Sequence, residues 1–259
     1  MSFELRLGSC LDPVSGLASL ADKSVDVVIT DPPYEDEAHT LQRRQKGAST
    51  RPGGNQEFRE VREAALTFAA ISAGDRVAVA AQAARITKQR ALAFCQAEAI
   101  GAWREAFDAA DMPYRRSLVW CKPDAMPSLH GRWPGQATES IVLAQHRSAK
   151  SCPIGGKAKW YESSRDHRGR GAVSPHPTTK PLELMLAIVA DFTEPGDLVC
   201  DPFAGSGTTG VACLRLGRRF LGWELSPEYH AIALRRLRGE EAKPRPEQPG
   251  LFDSLGGAA

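Results

Sequence analysis

Asp201-Pro202-Phe203-Ala204-Gly205-Ser206-Gly207-Thr208-Thr209-Gly210 is the stretch on which the fold turns. It follows an apolar run, Asp197-Leu198-Val199-Cys200, that reads as a short buried strand. Its glycines let the backbone turn sharply and approach a ligand, and the helix opening near Thr208 presents free N–H groups and the positive end of its dipole to the same point. Strand, glycine turn and helix in that order predict one unit of a parallel α/β sheet, with the turn at the strand's carboxyl end, where such sheets bind ligands. Taken alone, the loop also satisfies the dinucleotide pattern G-x-G-x-x-G.

A second reactive loop lies far upstream. Val25-Asp26-Val27-Val28-Ile29-Thr30 reads as another buried strand and delivers Asp31-Pro32-Pro33-Tyr34 to the same sheet edge. Working outward, strands are expected near 3–7, 25–30, 90–96, 116–121, 139–145, 197–201 and 219–224. Helices are expected at about 57–71, 75–88, 97–110, 180–192, 207–216 and 226–239, the last opening on Ser226-Pro227-Glu228 as N-cap and first-turn proline. The alternation predicts a mostly parallel sheet.

The 259 residues, 42% hydrophobic, can bury a sizeable core in one domain without disulfides or metals. The N-terminus lacks the basic and apolar segments of a signal peptide, and no stretch approaches the roughly 20 apolar residues of a membrane span. A cytoplasmic protein is expected. Cys10, Cys95, Cys121, Cys152, Cys200 and Cys213 form no C-x-x-C pair and read as reduced, structural residues. His39, His130, His146, His167, His176 and His230 show no metal-site spacing, so no metal is expected.

Three further features decide between chemistries. Glu224 ends the strand Arg219-Phe220-Leu221-Gly222-Trp223-Glu224, 17 residues after Gly207. His176-Pro177-Thr178-Thr179-Lys180-Pro181 precedes an apolar helix and the Asp201 loop. Asp31-Pro32-Pro33-Tyr34 suits a demanding nucleophile. An exocyclic base amine has its lone pair delocalised into the ring, so a carboxylate and a carbonyl that accept its protons favour the rehybridised, positively charged transition state. An adjacent tyrosine face can stack a base extruded from a duplex.

Together these segments resemble the β-class amino-methylating DNA methyltransferases, over roughly residues 5 to 235. The resemblance implies a Rossmann-like, S-adenosylmethionine-dependent methyltransferase fold, with a mostly parallel seven-stranded sheet and a circularly permuted motif order. It implies catalysis by Asp31, Pro32, Pro33 and Tyr34. Cofactor binding is implied for Thr178, Lys180, Asp201, Phe203, Ala204, Gly205, Ser206, Gly207, Thr208 and Glu224, with Glu224 on the ribose and Thr178 and Lys180 toward the methionine carboxylate. Asp at the first catalytic position implies N6 of adenine in duplex DNA as the target, N4 of cytosine being the alternative. Ser9 departs from the pattern, since the family commonly carries an acid there for the cofactor adenine.

Net charge is only +2, but basic residues cluster. From Arg147 to Lys180 there are eight basic residues against two acids, and Arg43, Arg44, Lys46 and Arg51 follow the first motif. Two basic, Gly-bearing loops beside the reactive loops, one holding Trp160 and Tyr161, fit phosphate contact and base stacking. Candidate DNA contacts are Arg43, Arg44, Lys46, Lys157, Lys159, Arg165, Arg168 and Arg170, in recognition loops at about 35–56 and 146–175. These loops are short for a recognition domain, which points to a short target, a homodimer or help from another protein.

The catalytic domain is expected to span 1–239, and the Pro/Gly-rich segment 240–259 to be a flexible tail. Within it, Gln248-Pro249-Gly250-Leu251-Phe252 is similar to the Q-x-x-L-F peptides that dock on the bacterial sliding clamp, with Gln248, Leu251 and Phe252 as contacts. This would associate the enzyme with the nucleoid. A restriction-modification partner and an orphan regulator are equally compatible with the sequence. Two readings from other classes, a dinucleotide-dependent oxidoreductase and a catalytically idle DNA-binding relative, leave Asp31 to Tyr34 unexplained or unused.

Overall fold

The computed structural model describes residues 2–33, 70–125, 132, 134–164 and 179–240. Among these residues eight strands form one sheet: β1 (Phe3–Leu7), β2 (Val25–Thr30), β3 (Thr87–Cys95), β4 (Tyr114–Cys121), β5 (Thr138–Gln145), β6 (Tyr161–Glu162), β7 (Leu198–Asp201) and β8 (Arg219–Glu224). Their order is β1-β8-β7-β2-β3-β5-β4-β6. All neighbours run parallel except β5, which is antiparallel to both β3 and β4. The expected seven strands are present. The eighth, β6, is a two-residue edge strand added beside β4, inside the segment read as a loop.

Among the described residues five α-helices cover the sheet: α1 (Ala73–Ile86), α2 (Ile100–Ala109), α3 (Leu182–Phe192), α4 (Thr208–Arg215) and α5 (Pro227–Leu237). The continuous apolar run of β2 is buried on both faces, as a central parallel strand requires. Val28 packs in the layer of Val79, Ala83, Trp103 and Phe107 from α1 and α2. Val27 and Ile29 face Leu184, Ile188 and Ala212 from α3 and α4, which is the period of two expected of a strand between two helical layers. Asp26 is tolerated in this run because its carboxylate accepts from Lys88 Nζ and from the Leu198 backbone N–H, each at 2.8 Å, which ties β2 to β3 and β7.

The boundaries correct the sequence reading most at the junction of α1 and β3. The helix expected to reach residue 88 ends at Ile86, and β3 begins at Thr87 rather than at 90. Lys88, Gln89 and Arg90 are good helix formers, but pairing of Thr87 with Val25 and of Arg90 with Val27 and Gln145 overrides that preference. Arg90 is buried, and its guanidinium donates to the Phe192 carbonyl at 3.0 Å. The α5 start matches its expected cap, with Ser226 Oγ accepting from the Tyr229 N–H at 3.4 Å. The helix expected at 57–71 falls outside the described residues up to 69, and Ala70 and Ile71 belong to no helix.

All six cysteines are free, and Cys10, Cys95, Cys200 and Cys213 are buried. Among the described residues no helix is long and apolar enough to cross a membrane.

Candidate active site

The strand order sets the site. β2 and β7 are adjacent and parallel, Val27 facing Val199 and Val28 facing Cys200, so Asp31 after β2 and Asp201 at the end of β7 emerge side by side. β8 lies against β7 and brings Glu224 to the same edge. Residues 170 positions apart in sequence thus converge because the sheet interleaves the two ends of the chain.

Asp31 is held by a lysine. Lys180 Nζ lies 2.7 Å from both carboxylate oxygens of Asp31. The same ammonium is 3.1 Å from Glu139 Oε2. Glu139, on β5, also accepts from Lys122 just beyond β4. Lys180 sits 5.0 Å from the Phe94 ring centre and 5.9 Å from that of Trp120, and Lys122 lies 4.8 Å over Trp120. Side chains of Lys180 and Glu139 are each 9% exposed, whereas Asp31 keeps 29% of its surface open. Charges so enclosed need partners, and an alternating series of two acids and two lysines supplies them. Burial pushes the Asp31 carboxyl upward, Lys180 draws it down and Glu139 raises it again, with a net rise.

The glycine turn is fixed by backbone and side chain alike. Gly205 and Gly207 have φ of 53° and 81°, in the left-handed region that favours glycine. Asp201 accepts from the Phe203 N–H at 3.1 Å and from the Thr209 hydroxyl at 2.7 Å. Buried as it is, its carboxyl is pushed up to about 7. Glu224 accepts from the Gly205 N–H and the Ser226 N–H, both at 2.8 Å, and burial raises its carboxyl too. Arg236 of α5, buried and absent from the sequence-based site, donates to the Ser206 carbonyl and hydroxyl and to Thr208 Oγ1.

This arrangement fits a small ligand at the loop. A methyl group added at Gly205 would meet nothing within 4 Å, so the turn presents an open backbone face beside Glu224. Thr179 Oγ1 is 3.4 Å from Ser206 Oγ, which joins the lysine-bearing segment to the glycine turn.

Of the residues singled out in the sequence, Asp31, Pro32, Pro33, Lys180, Asp201 to Thr208 and Glu224 are gathered at this edge. Lys180, expected to face a ligand carboxylate, is paired with Asp31 and Glu139. Ser9 Oγ accepts from the Leu11 N–H at 3.2 Å in its own turn. Lys157 is exposed, while Lys159 forms an ion pair with Asp191 at 2.6 Å. Tyr34, Arg43, Arg44, Lys46, Arg165, Arg168, Arg170, Thr178, Gln248, Leu251 and Phe252 lie outside the described residues. The sequence reading missed Glu139, Lys122 and Arg236. Arg236 had a signal, since it shares one helical stripe with Ala233 and Leu237, both buried.

The chain is 52% identical over 65 residues to the Type II methyltransferase M2.DpnII of Streptococcus pneumoniae, covering 25% of this chain and 24% of that protein. It is 50% identical over 62 residues to the DNA adenine methyltransferase YhdJ of Escherichia coli strain K12, covering 24% and 21%. The matched stretches therefore span about a quarter or less of these relatives' lengths. The solved M1.HpyAVI–SAM complex superposes with a TM-score of 0.65 at 25% identity, covering 91% of this chain and 98% of that one. A family model described as DNA methylase matches residues 25–235, so the chain belongs to the DNA methylase family.

Proposed function

We propose that the protein is a site-specific DNA methyltransferase that moves a methyl group from S-adenosylmethionine to the N6 amine of adenine in duplex DNA. The observation that carries this reading is the placement of Asp31 and the Gly205–Gly207 turn on adjacent strand ends of one sheet edge. S-adenosylmethionine supplies a methyl group on a positively charged sulfur that leaves as a neutral thioether. The glycine turn would take its methionine part, with Phe203, Ala204, Ser206 and Thr208 shaping the loop and Thr178 beside it, and Glu224 would accept from the ribose hydroxyls. Asp31 and the Pro32 carbonyl would accept hydrogen bonds from the two amine protons, which turns the nitrogen lone pair toward the methyl group. Pro33 stiffens the turn and Tyr34 would stack the extruded base.

Adenine is favoured over cytosine by Asp31 at the first motif position and by the likeness to YhdJ, whose name states adenine. Duplex DNA would be held by Lys157 and the basic residues of the recognition loops. The likeness to a Type II methyltransferase fits a restriction-modification setting in the cytoplasm. The Gln248-Leu251-Phe252 tail would tether the enzyme to the sliding clamp and so to the nucleoid, which requires that Leu251→Ala with Phe252→Ala abolish pull-down by purified clamp. A homodimer would supply recognition surface that the short loops lack.

The deciding experiment is incubation with radiolabelled S-adenosylmethionine and mixed-sequence DNA, followed by nucleoside analysis. Label in N6-methyladenine supports the reading, and label in N4-methylcytosine moves the target base. Label absent from DNA while the protein still binds the cofactor refutes it. Asp31→Ala should abolish turnover and keep cofactor binding; transfer at the native rate by this variant removes Asp31 from the mechanism.

A further inference from the structure

Both oxygens of Asp31 are occupied by one ammonium, that of Lys180, at 2.7 Å. Each oxygen of an ionised carboxylate keeps a further lone pair, so an incoming amine can still donate to Asp31, but it shares the carboxylate with that ammonium. The second acid matters here. Glu139 Oε2 lies 3.1 Å from the same nitrogen, and Glu139 is itself anchored by Lys122. The Phe94 and Trp120 rings, 5.0 and 5.9 Å from the ammonium, wall the space around it. From β5 and β4, Glu139 pairs across the ladder with Trp120, so the anchor is built into the sheet rather than a loop.

Resting on the methyltransferase reading, we infer that Lys180 and Glu139 are positioning residues for the transfer step: Lys180 keeps Asp31 ionised and aligned, and Glu139 retains the lysine when the target amine takes over Asp31. Lys180 without Glu139 would remain clamped on Asp31 and compete with the amine. Asp31 without Lys180 would be a desolvated acid that takes up a proton and can no longer accept from the amine. The charged groups facing Asp31 are Lys180, Glu139 and Lys122, and Asp201 lies beyond it at the end of β7. Lys180 and Lys122 hold the carboxyl down, while burial and Glu139 raise it.

The test has an arm that needs no turnover. The Asp31 carboxyl is followed by carbon-13 NMR across pH in the protein and in Lys180→Met, Lys180→Arg and Glu139→Gln, and kcat and KM are measured on DNA over the same range. Lys180→Met should move the Asp31 titration, and with it the acid limb of the rate profile, up by about one pH unit or more. Lys180→Arg should restore both. Glu139→Gln should lower kcat on the order of tenfold, a loss of about 1.4 kcal/mol in transition-state stabilisation, with KM for the cofactor unchanged and the Asp31 titration moved down. An Asp31 titration that stays in place in Lys180→Met overturns the lysine's role, and native kcat in Glu139→Gln overturns the glutamate's. Should Lys180→Met fail to fold, the Asp31 titration in Lys180→Gln takes its place and is read in the same way. Absence of methyl transfer by the unaltered protein would refute the proposed function instead, and the NMR titration would still judge the pairing.

Discussion

Arg236 reaches from α5 into the glycine turn, its Nη1 lying 2.6 Å from the Ser206 carbonyl oxygen and 2.8 Å from the Ser206 hydroxyl. A third bond, to Thr208 Oγ1 at 3.1 Å, spans the start of α4. One buried cation therefore holds both sides of Gly207 in place. Hydrogen bonds to a charged donor contribute roughly 1.5–3 kcal/mol, and loosening the turn should be felt by whatever binds on it. Arg236→Met should lower the melting temperature and weaken S-adenosylmethionine binding on the order of tenfold, since each 1.4 kcal/mol is one decade. Calorimetric titration with the cofactor checks this; native affinity in a folded Arg236→Met would confine the arginine to stability.

Two glycines two residues apart should respond differently to substitution. Gly207 has φ of 81°, and a methyl group there would lie 3.0 Å from the Ala233 Cβ on α5. Gly207→Val combines left-handed strain of about 1–2 kcal/mol with this clash, so both stability and cofactor binding should fall. Gly205 has φ of 53° but open space around it. Gly205→Ala should lose about 1–2 kcal/mol of stability from strain alone. Its cofactor affinity should fall further than that loss explains, because the added methyl occupies the face on which the ligand lies. Parallel melts and binding titrations separate the two effects. Equal, small effects of Gly205→Ala on both would move the ligand off that face.

These contacts also show where sequence stopped being legible. The strands β2, β7 and β8 announced themselves through apolar runs ending at Asp31, Asp201 and Glu224, because a buried parallel strand leaves a local compositional mark. The edge strand Tyr161–Glu162 left none, since two residues are too few for a period and its pairing with Trp120 and Cys121 is a tertiary event. Lys180 carried a motif that pointed to a ligand. Its pairing with Asp31, 149 residues away, depended on strand order that no local pattern encodes. Glu139 read as one more residue entering a strand, and only the sheet reveals it as that lysine's second partner.

Burial of Asp201 makes stability depend on pH in a definite direction. Its carboxyl is pushed from 3.8 up to about 7, chiefly by burial, against the Thr209 and Phe203 hydrogen bonds and with a contribution from Asp31. Between those values the folded protein holds a proton that the unfolded chain has released. Stability from this group is therefore complete below about pH 3.8 and is lost as pH rises through about 7. Asp31 and Glu224, also raised, act in the same sense. Asp201→Asn should flatten the fall in melting temperature from pH 4 to 7, by removing one of the three contributions. A profile as steep as that of the native protein would show that Asp201 stays ionised in the fold.

Lys157 and Lys159, the two described lysines among the candidate DNA contacts, differ in what they are free to do. Lys157 is exposed, next to Gly155 and Gly156 in a segment that also exposes Trp160. Lys159 lies 2.6 Å from Asp191 on α3 and 5.2 Å from the Tyr161 ring centre, and the Tyr161 hydroxyl donates to the same carboxylate at 2.8 Å. A lysine that neutralises a phosphate releases counterions and contributes about one unit to the dependence of log affinity on log salt. Lys159 would have to leave Asp191 to do so, whereas Lys157 gives up no such contact to Asp191. Lys157→Ala should weaken DNA binding uniformly across sequences and reduce the salt slope by about 1. Lys159→Ala should change the slope little, and its main effect should be on the anchoring of β6 to α3. Fluorescence anisotropy on a short duplex at several salt concentrations resolves the two. Equal slope losses would place Lys159 on the phosphates, with Asp191 as its resting partner in free protein.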